Sequence, residues 1–325
     1  MEFSQFAAYE SLVMAMETKP VPFTRRSVVD QLRTVAGRIK ERVEELGKFG
    51  DITNLNARER ERAMWEDRGG VVIIHANPYE WDELTDEGKE IQHALHTTYG
   101  KFKELVKSQI HGRVRETTQR FRELDRSVEV FVEHAQSDHA SVAAEIKSVC
   151  TAIDQMVELV AQGVDNSARL PVFVPDTNAL LYNTTLEDWA FDGVPKFKIV
   201  ITPTVLHELD GLKINHRNEA VRDKAEKLIR QIKGYRTRGD LHTGVTLRTS
   251  VSQLVALAVE PDMEHTLSWL DKDHEDDRLI ASTLEVMRQY LHSPVTLVSR
   301  DINAQNKATF AGIDVCEPPE PPAKP

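Results

Sequence analysis

Cysteine is nearly absent: Cys150 and Cys316 are the only two in 325 residues, they stand far apart, and no CxxC pair occurs. Two isolated thiols fit a reducing cytosol better than a disulfide scaffold. Also missing is any run approaching the roughly eighteen uninterrupted apolar residues that a membrane-spanning helix needs. The opening MEFSQFAAYESLVMAMETKP lacks a basic start and a small-residue cleavage site, so secretion is not expected and a cytoplasmic location is. No GxxxxGK[ST] phosphate loop occurs, which removes a P-loop ATPase. Positive charge is in the minority, 41 Lys and Arg against 52 Asp and Glu, for a net charge of −11. Bulk attraction to nucleic acid is therefore excluded, and any binding must come from a local basic patch or from metal ions that offset an acidic site. What is present is 40% hydrophobic and 29% charged, the composition of a soluble globular chain, at a length that allows two cores.

The chain divides by pattern. Residues 1–165 read as an all-α half, with helices expected over 2–17, 27–46, 57–67, 82–108 and 113–160. Ser27 is a fitting N-cap ahead of Val28, Val29, Leu32, Val35 and Ile39, which share one helical face. The longest segment carries a stripe running through Val114, Phe121, Leu124, Val128, Phe131, Ala135, Val142, Val149, Ile153, Met156 and Val160, spaced mostly by threes, fours and sevens. Such a stripe buries against another helix, within a bundle or between copies of the chain, so a homo-oligomer built through these helices is one expectation. Breaks are expected at Gly112 and around Gly69, Gly70 and the apolar stretch 71–74. Residues 161–170, AQGVDNSARL, lose the periodicity and read as a linker.

From 171 to 316 the pattern becomes α/β. PVFVPD, KFKIVITP, PVTLVSRD and GIDVCEP are short runs rich in β-branched residues, and helix-like stretches lie between them at 203–212, 218–235, 276–290 and 302–308. Strands alternating with helices imply βαβ units and a mainly parallel sheet flanked by helices, with the ligand site beyond the carboxyl ends of the strands. A Pro-rich tail follows at 317–325.

Acids stand at those strand ends. Asp176 follows the first strand, with Thr177 and Asn178 after it. Glu208 comes about a helical turn after the second, Asp276 and Asp277 open a helix, and Asp301 follows the third strand just after Ser299. Mg2+ and Mn2+ take oxygen ligands, often one or two carboxylates with waters and substrate phosphate. Packed carboxylates repel unless a cation lies among them, so a cluster of this kind is usually a metal site.

The segments VPDTNALL, TPTVLHELDGLK, DDRLIAS and VTLVSRDINAQNKA resemble the four motif blocks of the PIN-domain ribonuclease family. They are most similar to the PIN domains that precede PhoH-type ATPases and to PIN-like nucleases of bacterial conflict systems. The resemblance covers 171 to about 316 and leaves the helical half without a role. It implies Asp176, Glu208, Asp276 or Asp277, and Asp301 as the catalytic acids holding Mg2+ or Mn2+. Thr177, Asn178 and Ser299 would support those ligands by hydrogen bonds. The third block leaves two acids open: one block type maps to Asp276, which we favour, and the toxin-type spacing maps to Asp277. The implied activity is metal-dependent endoribonucleolytic cleavage of single-stranded RNA, as a processing enzyme, toxin or defence effector. A structure-specific DNA nuclease and an inactive RNA-binding scaffold are the alternatives.

Other motifs fail on inspection. His207 and Glu208 begin an HExxH pattern, but Gly211 stands where the second His is required. Glu90 and His93 form half of a di-iron pattern without a second ExxH. A haloacid-type phosphatase needs Asp where Asn178 stands. Between 213 and 238 nine Lys and Arg face three acids. From this stretch Lys213, Arg217, Arg230, Lys233 and Arg236 are expected to meet the phosphate backbone of RNA, and Tyr235 alone interleaves, so base stacking is not indicated.

Overall fold

The computed structural model describes residues 26–65, 74–134, 136–163 and 169–322. The expected helix over 2–17, Gly69 and Gly70 with most of 71–74, the centre of the linker and Ala135 lie outside the described residues.

The helical half begins as its sequence dictates. In α1 (Val28–Leu46) the Ser27 hydroxyl accepts the Asp30 N–H at 3.2 Å, and Val28, Val29, Leu32, Ala36, Ile39, Val43 and Leu46 are buried on one face. α2 (Leu55–Trp65) follows, then α3 (Asp86–Ile110), which is N-capped by Thr85. A small antiparallel ladder of β1 (Ile52–Asn54) and β2 (Tyr79–Trp81) interrupts the helices and was not expected.

The expected single helix over 113–160 is two helices, α4 (Arg115–Glu133) and α5 (Val142–Ala161), packed on each other. His134 ends α4 in the left-handed region at φ 55°, and Ser141 caps α5 by accepting the Ala144 N–H. The stripe was continuous by spacing alone; Ser137, Asp138, His139 and Ser141 supply the turn that spacing ignored. Folding the segment back buries Phe121, Leu124, Val128, Phe131, Val149, Ile153, Met156 and Val160 within one chain, alongside α1 and α3. Burial of these eight side chains therefore needs no second copy, and Val114, at the start of the stripe, stays exposed.

The C-terminal half is a six-stranded sheet in the order β5-β6-β4-β3-β7-β8. These strands are β3 (Val172–Pro175), β4 (Phe197–Ile201), β5 (Val245–Arg248), β6 (Ser252–Ala256), β7 (Val295–Val298) and β8 (Asp314–Cys316). All neighbours are parallel except β5, which pairs antiparallel with β6 at the edge. The four expected strands are present, and the β5–β6 hairpin is an addition. Helices α6 (Thr177–Tyr182), α7 (Pro203–Asn215), α8 (Glu219–Arg236), α9 (Glu275–Gln289) and α10 (Ile302–Phe310) connect them. β3, β4 and β7 are almost wholly buried, as a sheet covered on both faces requires. The chain leaves β3 toward β4 on one side and returns to β7 on the other, so strand order reverses between β3 and β7. That switch point opens a crevice at the carboxyl ends of these two strands.

The two halves touch. α3 packs on α9, Arg288 donates to the His111 carbonyl at 3.1 Å, and the Ser268 N–H donates to Glu104 at 3.1 Å. A cleft of about 1090 Å³ lies along this junction between Leu32, Phe102, Trp269 and Phe310, and none of the crevice acids lines it. Neither cysteine forms a disulfide, and no helix among the described residues is long and apolar enough to cross a membrane.

Candidate active site

Asp176 sits on the switch point. Its N–H donates to the Val298 carbonyl at 2.9 Å, tying the end of β3 to β7, and its Oδ1 caps α6 by accepting the Ala179 N–H. Oδ2 accepts the Ser299 hydroxyl from the end of β7. Ser299 in turn accepts the Asp301 N–H at 3.0 Å, so one buried hydroxyl joins the backbone of the fourth acid to the side chain of the first. Asp301 caps α10 through Oδ1, which receives the N–H groups of Asn303 (2.7 Å) and Ala304 (3.3 Å).

Glu208 arrives from one turn inside α7 and accepts the Thr177 hydroxyl. The residue after Asp176 thus orients the second acid, and Ser299 orients the first. Asn178, the third expected support, is exposed and makes no side-chain hydrogen bond to these acids among the described residues.

The two competing acids of α9 part company. Asp277 is buried, pairs with Lys307 at 2.7 Å and accepts the Asp271 N–H at 2.9 Å. Burial works against its charge, but the Lys307 ammonium and that N–H hold its carboxyl below the ordinary range. Asp276 is half-exposed and accepts Asn303 Nδ2 at 2.7 Å, with Lys307 at 3.5 Å. Its charge is felt at Asp176, as is that of Asp301. Asp276 thus meets Asn303 with its charge reaching Asp176, while Asp277 joins α9 to α10 through Lys307.

Electrostatics separates Asp176 and Glu208 from ordinary surface carboxylates. Asp176 is 5% exposed, and its carboxyl is pushed above the usual range by burial, with the Asp301 and Asp276 charges adding to it; the Ser299 and Ala179 hydrogen bonds pull the other way. Glu208 is raised by burial, then by the charges of Glu275 and Asp176, with Thr177 and Arg278 opposing. Among the described residues no salt bridge engages Asp176 or Glu208, although Lys307 stands close enough to pair with Asp276 and Asp277. A buried carboxylate with hydroxyl partners and like-charged neighbours fits a divalent cation. No three crevice acids bring ligand atoms within 4.8 Å of one another. The donors suit an ion, or two, that keeps waters and takes one or two carboxylates directly.

Residues 173–318 match the family model of the PIN domain. The C-terminal half of the chain is a PIN domain. The match spans the crevice from β3 to just past β8 and none of the helical half. No curated protein matches the chain. PIN domains are in general nucleases and usually use a divalent metal.

Asn303, Lys307 and Glu275 join this PIN-domain site without having been singled out. Asn303 and Lys307 lie in the fourth motif block, two and six residues after Asp301, where helical spacing returns them toward α9. Glu275 stands directly before Asp276 at the start of α9, and its charge is felt at Glu208.

The basic stretch flanks the crevice. α8 packs on α6 and α7, and Lys224 reaches the Leu181 carbonyl at 2.9 Å. Several of its cations serve the fold: Arg222 donates to the His216 carbonyl, Arg230 pairs with Glu226 at 2.9 Å and Arg238 with Glu187 at 3.2 Å. Arg217, Lys233 and Arg236 are exposed with no side-chain partner among the described residues, and Lys213 is half-buried.

Proposed function

We propose that this PIN domain is a Mg2+- or Mn2+-dependent endoribonuclease that cleaves single-stranded RNA. The observation that carries the reading is Asp176, a buried carboxylate at the switch point with acidic neighbours and no salt bridge among the described residues. Asp176, Glu208, Asp276 and Asp301 would hold the metal. A bound divalent ion supplies an acidified, oriented water for in-line attack on phosphorus and stabilises the leaving 3′ oxygen.

The chain's own groups prepare that chemistry. Ser299 and Thr177 fix the rotamers of Asp176 and Glu208, and Asn303 fixes Asp276. The Asp277–Lys307 pair pins the start of α9 to α10, the helix that Asp301 caps. Arg217, Lys233 and Arg236, with Lys213 and Arg230 beside them, offer phosphate contacts that position a strand without reading its sequence.

The test is cleavage of matched single-stranded RNA and DNA oligonucleotides with Mg2+, with Mn2+ and in EDTA. RNA cleavage that needs metal and disappears in Asp176→Asn supports the reading. Preference for DNA would make it a DNA nuclease, and RNA binding without cleavage would make it a scaffold.

A further inference from the structure

Apart from the crevice, one group of side chains among the described residues has the composition and spacing of a metal site, and it joins the two halves of the chain. His111 follows the last residue of α3, in the helical half. Asp262 and His265 lie on the loop between β6 and α9, in the PIN domain. Asp262 Oδ2 is 3.2 Å from His111 Nε2 and 2.9 Å from His265 Nδ1. The three ligand atoms all lie within 4.8 Å of one another.

We propose that His111, Asp262 and His265 form a second metal site, for a borderline divalent ion such as zinc, that clamps the helical half to the PIN domain. The donor set is distinct from the crevice: two imidazoles and one carboxylate favour zinc-like ions, whereas Mg2+ and Mn2+ favour all-oxygen sites. The spacing suits it too. Zinc bonds of about 2.05 Å at tetrahedral angles put neighbouring ligand atoms about 3.3 Å apart, close to the two separations here.

The site is held in place on both sides. Asp262 caps a short 3-10 turn (Met263–His265) by accepting the Glu264 N–H on Oδ1 at 3.1 Å, which leaves Oδ2 to face both imidazoles. Two residues before it, Glu260 accepts the Thr204 hydroxyl at 3.3 Å, anchoring the loop to the first turn of α7. On the other side Arg288 donates to the His111 carbonyl, and Glu285 pairs with Arg288 and offsets its charge beside the site. The rings of His111 and His265 stack at 4.0 Å, an approach that one shared partner explains. Side-chain exposures of 27%, 47% and 54% leave an entry path and at least one coordination position for water.

The experiment uses the full chain, stripped of metal and dialysed against micromolar Zn2+ with millimolar Mg2+ present, with bound zinc measured by elemental analysis. The wild type should retain one equivalent. His111→Ala and His265→Ala should each weaken zinc affinity on the order of 100-fold, at least the upper range seen when only a supporting partner is removed. Asp262→Asn keeps the side-chain volume and should weaken it as well, while Asp176→Asn should leave it unchanged. Co2+ in place of zinc should give the intense visible bands of a four-coordinate site in the wild type and lose them in the histidine variants. The proposal is overturned if the wild type retains no zinc, or if the histidine variants retain it equally, in which case the trio is only a hydrogen-bonded clasp. Neither result depends on nuclease activity.

Discussion

Each half of the molecule buries carboxylates, and Glu145 and Asp176 are treated in opposite ways. In the helical half Glu145 is 2% exposed and accepts from Ser137 while lying 3.0 Å from His139 Nδ1. A loop between two helices closes around it, with a titratable base as partner. In the PIN domain Asp176 is 5% exposed and is met by Ser299 and the Ala179 N–H, with Asp301 and Asp276 as its charged neighbours. Burial alone does not mark function; what marks it is burial without compensation. Glu145 completes a turn, whereas Asp176 leaves a charge for something outside the chain to balance.

Neutralising each acid should break the symmetry most sharply. Asp176→Asn should lower RNA cleavage by two or more orders of magnitude and, in EDTA, raise the melting temperature, because a repulsive charge is removed. Glu145→Gln should leave cleavage intact and lower stability by about 1–3 kcal/mol, the cost of disturbing a satisfied buried network. Calorimetry of both variants with and without Mn2+ checks the pair. A stabilised Glu145→Gln or a destabilised Asp176→Asn in EDTA would remove the distinction between them.

The adjacent acids of α9 repeat the contrast within one helical turn. Asp276→Asn should cut activity at least tenfold with little effect on the metal-free fold. Asp277→Asn removes an ion pair with Lys307 and the acceptor for the Asp271 N–H, so it should cost about 1–2 kcal/mol of stability and affect activity only through that destabilisation. Equal activity losses in the two variants at a temperature where both are folded would mean that Asp277 also serves the site.

The sequence made this division legible unevenly. The parallel strands were readable because each is a short β-branched run ended by Pro or Asp, and the acids because they stand where such strands stop. The hairpin of β5 and β6 was missed: Val245 and Leu247 alternate with Thr246 and Arg248, but at the sheet edge only one face is buried and the apolar signal is halved. The helical stripe was read too long because helical spacing can run through a turn when the flanking residues keep step. Ser137 and Ser141, a cap former at each end of that turn, were the local chemistry that should have taken precedence over period. The choice between Asp276 and Asp277 could not be made from spacing, since it depends on Asn303 and Lys307 arriving from another helix.

The exposed cations of α8 test whether the crevice is served by a surface of its own. Reversing Arg230, Lys233 and Arg236 to Glu should weaken RNA binding on the order of tenfold or more, alike across sequences. It should also flatten the salt dependence, by about 0.7 in the log–log slope for each phosphate no longer neutralised. Filter binding over a range of salt measures both. Arg230 pairs with Glu226, so its share should be the smallest of the three. An unchanged slope would assign the helix to solvent.

The smallest effect is a difference of sign between the halves. His134 closes α4 as a neutral group: it is buried, stacks on Trp81 at 4.2 Å, and has neither ring nitrogen hydrogen-bonded among the described residues. Burial brings its pKa down to about 4, with Asp82 pulling weakly the other way. A pKa below the unfolded value means the folded state refuses a proton that the unfolded chain accepts. The contribution of His134 is therefore full above about pH 6.5 and is lost as pH falls toward 4, roughly 1–3 kcal/mol at most. Asp176 and Glu208 are shifted upward, so without metal their contribution is full below the ordinary carboxylate range and is lost as pH rises through their raised values. Stability of the metal-free chain should thus carry two opposed slopes, that of His134 between about pH 4 and 6.5 and that of the two carboxyls starting above the ordinary carboxylate range. His134→Asn keeps a residue that tolerates the left-handed backbone at φ 55° and removes the titration, so its profile should lose the acid-side fall. Asp176→Asn should lose the opposite slope, and saturating Mn2+ should abolish that slope in the wild type while leaving the His134 effect in place. Melting curves of the three proteins across this pH range, in EDTA and in Mn2+, give the answer. If His134→Asn and the wild type fall together at low pH, the loss of stability there belongs to other groups, and the helical half has no proton-linked element of its own.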